Sequence, residues 1–197
     1  MPALKKIGEI KMRAKQAGQS ALLLLDVIDL LKAHNIPYAV VGAFAVSFYG
    51  IVRASLDADA VISLAQSDVS AEKLKRLLEK SSLKAFIRRA DADDPLKGLM
   101  LIEDKFGNQV DLILGIKGMD SHVFSRVKKG KFQKENIDVI GPEDLIAMKL
   151  FAGSGKDLND VIGILEVSKK EINFALLKKV IKSYGSDAQK RLDQVLK

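Results

Sequence analysis

The chain has no cysteine among its 197 residues, which excludes disulfides, thiolate metal sites and cysteine nucleophiles together. Tryptophan is absent and only two histidines occur, His34 and His122. Neither has a partner at metal-ligand spacing, so both are expected at the surface or at helix ends. Long apolar runs are missing as well. The longest, Ala21 to Leu25, is far too short to span a bilayer, and the basic N-terminus is not followed by a signal-peptide core and cleavage site. Prolines number only four, against 48% hydrophobic and 29% charged residues, a balance far from that of a disordered chain. These features point to a folded, soluble, cytoplasmic protein with no membrane partner.

What is present in excess is positive charge. A formal net charge of +7 and a pI near 9.4 favour a polyanionic partner, whether nucleic acid, nucleotide or acidic protein. The lysines are scattered through helical segments, as in Lys73 and Lys75 or Lys178, Lys179 and Lys182, and a solvated helix face accounts for most of them.

Residues 1–19 are basic, poor in large apolar side chains, and read either as a frayed arm or as a short docked helix. From Ser20, a plausible N-cap, leucines and isoleucines at helical spacing predict a helix that stops near Asn35 and Pro37. Tyr38 to Val41 reads as a short strand, AFAVSFYG as a packed helix ending at Gly50, and Asp57 to Ile62 as a second strand. Ser67 to Lys80 is strongly amphipathic. Strands are expected at Leu83 to Ile87, Gly98 to Ile102 and in QVDLILG, the last two as a hairpin around Phe106, Gly107 and Asn108. Beyond Gly115 the pattern suggests a helix near Met119 to Lys128 and a strand at Ile137 to Ile140. After Pro142 come two helices broken at Gly153 to Gly155, then further helical segments. The resulting expectation is an α/β (α+β) fold: a mixed sheet flanked by helices. A core over residues 20–141 would follow the basic arm, and a helical region over 142–197 would cover one side.

Chemistry is concentrated in three aspartates. Alternate strand residues share a face, so Asp57 and Asp59 project to one side while Ala58 packs on the other. If the strand holding Asp111 lies alongside, three carboxylates meet, and so many like charges are tolerable only beside a cation. Magnesium suits an all-oxygen donor set, and a pair of ions would serve an in-line displacement at phosphorus. A second triplet, Asp91-Ala92-Asp93, sits in a polar loop before Asp94 and Pro95. Its context makes it a surface feature.

The stretch YAVVGAFAVSFYGIVRASLDADAVI resembles the nucleotide-binding signature of the DNA polymerase β-like nucleotidyltransferase superfamily. The pattern there runs strand, Gly-Gly, helix, Tyr-Gly, Arg, Thr or Ser, Asp-x-Asp, matched here by Gly42, Ala43, Tyr49, Gly50, Arg53, Ser55, Asp57 and Asp59. VDLILG resembles the third-carboxylate strand, marking Asp111. GPEDLIAMKLFAGSGKDLNDVIGIL is similar to the C-terminal motif of the abortive-infection AbiE-type toxin branch, with Lys149, Lys156, Asp157 and Asp160 in matching places. Together the three motifs cover roughly residues 36–167.

The resemblance implies that Asp57, Asp59 and Asp111 hold two magnesium ions. It also implies that Gly42, Ala43, Arg53, Ser55, Lys149, Lys156 and Asp160 lie around a nucleoside triphosphate such as ATP. Asp157 and Asp160 either orient Lys156 or act as helix-end charges. The reaction implied is transfer of a nucleoside monophosphate to an acceptor hydroxyl of RNA, tRNA or protein, with a cognate antitoxin as a possible partner in the AbiE-type case. Ala43 departs from the pattern, which has Gly or Ser there, and so a non-catalytic nucleotide- or protein-binding module of the same fold is the alternative. A magnesium phosphohydrolase, or an acidic-loop protein whose motif order is accidental, is a third reading.

Overall fold

The computed structural model describes residues 12–65, 67–91 and 94–197. Most of the basic arm, and Ala92 and Asp93 of the second acidic triplet, therefore lie outside the described residues.

Helix α1 (Ser20–Ala33) is followed by strand β1 (Tyr38–Val40), helix α2 (Gly42–Phe48) and strand β2 (Asp57–Ile62). Helix α3 (Ala71–Lys80) leads to β3 (Lys84–Arg89), β4 (Gly98–Glu103) and β5 (Gln109–Ile113). A hairpin of β6 (Lys128–Phe132) and β7 (Glu135–Val139) then precedes four helices: α4 (Pro142–Ala152), α5 (Gly155–Ser168), α6 (Phe174–Lys182) and α7 (Ser186–Val195). The strands form one mixed sheet in the order β3-β4-β5-β2-β1-β7-β6. Two of its pairings are parallel, β1 with β7 and β2 with β5. The expected mixed sheet flanked by helices is what the chain adopts.

The central strands alternate in burial. Ala58 and Ala60 of β2, Val110 and Leu112 of β5, Met100 and Ile102 of β4 and Ala85 of β3 are all buried, on the face that α1 and α3 cover. Their counterparts on the opposite face, apart from buried Val61, are half-buried or exposed, and these include all three aspartates. Helix α1 carries Leu23, Val27, Ile28 and Leu31 into the core at helical spacing. Helix α4 is the hub of the C-terminal helices: it packs against α5, α6 and α7, with Ile146 and Leu150 fully buried. It ends at Gly153, whose φ of 67° lets its N–H bond the Lys149 carbonyl. Ser154 then caps α5 by accepting from the Asp157 N–H.

Four local readings of the sequence change. Ser20 lies inside α1 and Gln19 holds the cap position. The Ser20 hydroxyl instead donates to the Leu56 carbonyl and accepts from the Gln109 N–H, tying the helix to the start of β2 and β5. Helix α3 starts at Ala71 because the Ser70 side chain caps it. Strand β3 runs two residues beyond Ile87, following its ladder with β4 to Arg89. The helix expected near Met119 to Lys128 is only a single 3₁₀ turn, Ser121–Ser125, and the lysine-rich segment after it is β6. Asp120 starts that turn by accepting from His122 N–H, and Arg126 stops it by bonding Asp120 and Asp144. With Arg126 pinned, Lys128 onward is free to pair with β7, the hairpin turning through Gln133 at a φ of 53°.

The described end of the arm is docked. Arg13 pairs with buried Asp26 at 2.7 Å, Asp29 at 2.8 Å and Glu135 at 3.3 Å, and the Gln19 N–H donates to the Asn108 side chain.

Candidate active site

Because β2 and β5 are parallel and in register, Asp57 stands opposite Gln109 and Asp59 opposite Asp111. Strand alternation places Asp57 and Asp59 on one face, and direct pairing brings Asp111 beside them. One carboxylate oxygen from each of the three lies within 4.8 Å of the others. The crowding acts on their protons. Burial first, and then the charges of Asp57 and Asp111, push the Asp59 carboxyl from 3.8 up to about 6, although Lys149 and Arg53 pull against the rise. Asp111 is also raised, by burial and then by Asp57, with Arg88 opposing. Three half-buried carboxylates with hard oxygen donors and no nitrogen or sulfur fit a divalent cation of the magnesium type, which relieves the repulsion between them. The Ser55 hydroxyl bonds Asp57 from the loop that leads into β2.

Gly42 is explained by this cluster. Its φ is +64°, a conformation costly for residues with a Cβ, and a Cβ there would run into the Asp59 carboxylate. The glycine thus lets the first turn of α2 close over the acidic strand. Gly42→Ala is expected to lose about 1–2 kcal/mol from backbone strain alone and to displace the Asp59 carboxylate. Chemical denaturation and magnesium titration would check both effects.

Two cations face the aspartates from the other side. Lys149 of α4 is buried and bonds Asp157 at 2.9 Å and Asp160 at 2.6 Å, and Asp160 also pairs with Arg53. Burial lowers the Lys149 ammonium from its ordinary range, with Asp157 countering and Arg53 adding to the fall. Asp157 sits low despite its burial, held down by Ser154 and Lys149. So Asp157 orients Lys149 and not Lys156. Arg53 Nε is buried without a partner among the described residues.

Between the acidic strand and α4 lies a cleft of about 330 Å³. Gly42, Ala43, Arg53, Ser55, Asp57, Asp59, Lys149, Lys156 and Asp157 all border it. Lys156 is exposed on its rim and forms no ion pair among the described residues. Asp160 sits behind the lining, linking Arg53 to Lys149. Tyr49 is packed away, its hydroxyl donating to the Ile140 carbonyl at 2.6 Å. Sequence reasoning missed the apolar wall opposite the charges, made by Leu96, Ile113 and Ile116 with Leu145, Met148 and Phe151 of α4. Its only sequence signal was the three-residue spacing along α4, which a core helix shows equally.

The fold has solved counterparts, although no family model and no curated protein matches the chain. An antigenic nucleotidyltransferase-like protein from Paracoccidioides brasiliensis superposes with a TM-score of 0.58 at 18% identity, over 93% of this chain and 90% of that one. The antibiotic-resistance factor ANT(2'')-Ia, in a complex with adenylyl-2''-tobramycin, superposes with a TM-score of 0.57 at 11% identity, over 84% of this chain and 96% of that one. The chain has the nucleotidyltransferase fold.

The raised Asp59 carboxyl makes the ion-free protein pH-sensitive. A carboxyl that holds its proton more tightly when folded adds stability at low pH and loses it as pH rises through the folded value. The contribution therefore fades between about 4 and about 6, and its full size is about 3 kcal/mol at most. Melts in chelator across pH 4–8 should show this component. The Asp59→Asn variant should lack it, and magnesium should oppose it at neutral pH.

Proposed function

We propose that the chain is a magnesium-dependent nucleotidyltransferase that moves a nucleoside monophosphate from a nucleoside triphosphate to an acceptor hydroxyl. The observation that carries this reading is the register of β2 with β5, which sets Asp111 beside Asp57 and Asp59, the two aspartates that border a cleft flanked by Lys149 and Lys156. Asp57 and Asp59 would hold two ions, with Asp111 completing the set. Bound there, magnesium supplies charge neutralisation at the triphosphate and at the oxygens that attack and leave.

The chain's own groups do the rest. Gly42 leaves room for Asp59 to point into the cleft, and the apolar wall of α4 and β5 packs the nucleoside. Lys156, exposed on the rim, is the cation most available to the phosphates. Lys149 and Arg53 line the cleft with their charges shared with Asp157 and Asp160. Asp111, raised and beside the other two carboxylates, accepts the proton of the acceptor hydroxyl at a carboxylate oxygen. The acceptor oxygen bonds to the α-phosphorus, the bond from that phosphorus to the bridging oxygen breaks, and pyrophosphate leaves.

The net charge of +7 favours RNA or tRNA over protein as the acceptor, and ANT(2'')-Ia shows an adenylylated small molecule on this fold. Within the resemblance, the chain reads as an AbiE-type toxin acting in the cytoplasm and restrained by a cognate antitoxin. Purified protein with magnesium, each α-labelled triphosphate and total RNA or protein should label the acceptor and release pyrophosphate. No transfer from any triphosphate would overturn this reading in favour of a nucleotide-binding module, the alternative that Ala43, buried at the cleft edge and lacking a hydroxyl, supports.

A further inference from the structure

We propose that the open face of β3 and β4 is the acceptor platform, and that the acceptor is a single-stranded RNA whose base stacks on Phe86 as its terminal hydroxyl reaches Asp111. The inference rests on the nucleotidyl-transfer reading of the site and adds where, and on what, the acceptor lies.

The sheet register aligns one row of side chains across four strands. Phe86 pairs with Leu101, Leu101 with Asp111, and Asp111 with Asp59. Directly paired residues point to the same side of a sheet, so the aromatic ring, the leucine and the two carboxylates share one face. The other face of these strands is buried under α1 and α3. This one is not: Phe86 is 57% exposed and Leu101 39% exposed. Neighbouring strands lie about 4.8 Å apart, which sets the Phe86 row about 10 Å from the Asp111 row. That distance is about three stacked nucleotides at 3.4 Å each. Asp111, Leu101 and Phe86 do not border the triphosphate cleft, which reaches β5 only at Ile113, so this open face gives a second molecule a separate approach.

Charge selects the occupant. Lys84 and Arg88 flank Phe86 at alternate positions and so share its face. They pair with Glu103 at 3.0 Å and Asp94 at 3.2 Å, but their side chains are 65% and 54% exposed. The Lys84 pair is of the exposed kind that holds weakly, by about 0.2–1 kcal/mol, and yields readily to a phosphate, while Arg88 keeps half of its side chain in solvent although Asp94 is largely covered. Arg88 is also close enough to act on the Asp111 carboxyl. An exposed aromatic ring between two cations on a bare sheet is how single-stranded nucleic acid is held, bases stacking and phosphates paired.

The chain has no tryptophan, so F86W places a single fluorescent reporter on the platform. Titrating this variant with a short single-stranded RNA, without nucleotide, should quench its emission saturably. By anisotropy of the labelled RNA, F86A should bind about 5- to 150-fold more weakly than wild type, F86Y should restore binding, and the KM for the triphosphate should not move. Absence of quenching, or wild-type affinity in F86A, overturns the proposal, as does efficient labelling of protein with no response to RNA. The two readings fail separately. RNA that binds through Phe86 but is never labelled refutes the transfer chemistry and leaves the platform standing. RNA labelled by F86A with an unchanged KM for the RNA refutes the platform alone.

Discussion

Asp59→Asn is expected to lower nucleotidyl transfer about 10³-fold or more while raising the stability of the ion-free protein. A carboxylate that binds catalytic cations contributes several kcal/mol to the transition state, and each 1.36 kcal/mol is about a factor of ten in rate. The amide keeps the shape, so the fit against Gly42 survives, but it supplies no charge to a divalent ion. Stability should move the other way. The Asp59 carboxyl stands at about 6 because burial and two neighbouring carboxylates oppose its ionisation, and at neutral pH the folded protein carries that cost. A neutral side chain removes it. Pyrophosphate release and thermal melting, each with and without magnesium, read both halves. A variant less active and less stable would mean that Asp59 is a structural residue. One equally active would remove it from the site.

That opposition of activity and stability was partly legible in the chain. An Asp-x-Asp step inside an apolar strand conflicts with core packing, and conflicts of this kind concentrate where function overrides local rules. Alternation alone put Asp57 and Asp59 on one side. What placed Asp111 beside them was a parallel pairing between strands about fifty residues apart, which no local pattern dictates; the resemblance supplied it. Gly42 was legible, through the resemblance, only as a residue beside the triphosphate, whereas its missing Cβ faces the Asp59 carboxylate. The β6 strand was illegible because Lys128, Lys129 and Lys131 have low strand propensity and no apolar alternation. Its place is fixed by pairing with β7 and by the anchoring of Arg126, both tertiary effects. The Phe86 platform was hidden for a related reason: an exposed phenylalanine reads as an ordinary strand residue until the register shows what shares its row.

Asp160→Ala should destabilise the fold strongly. Asp160 is 6% exposed and neutralises two cations, Arg53 from the loop before β2 and Lys149 from α4. It therefore ties the strand that bears two of the aspartates to the helix that forms the far wall of the cleft. Removing it leaves Arg53 without its carboxylate and Lys149 with Asp157 alone. Breaking a buried pair by deleting one partner costs about 3–5 kcal/mol, since a charge is left desolvated and uncompensated. In a chain of this size that is a fall in Tm of about 6–20 °C. The expected signature is specific. Asp160→Ala combined with Lys149→Met should be less destabilised than the sum of the two single variants, because the second change removes a charge that the first has stranded. Strict additivity of the two losses would show that these side chains are neighbours without being coupled, and the strand and helix would then be held together by apolar packing alone.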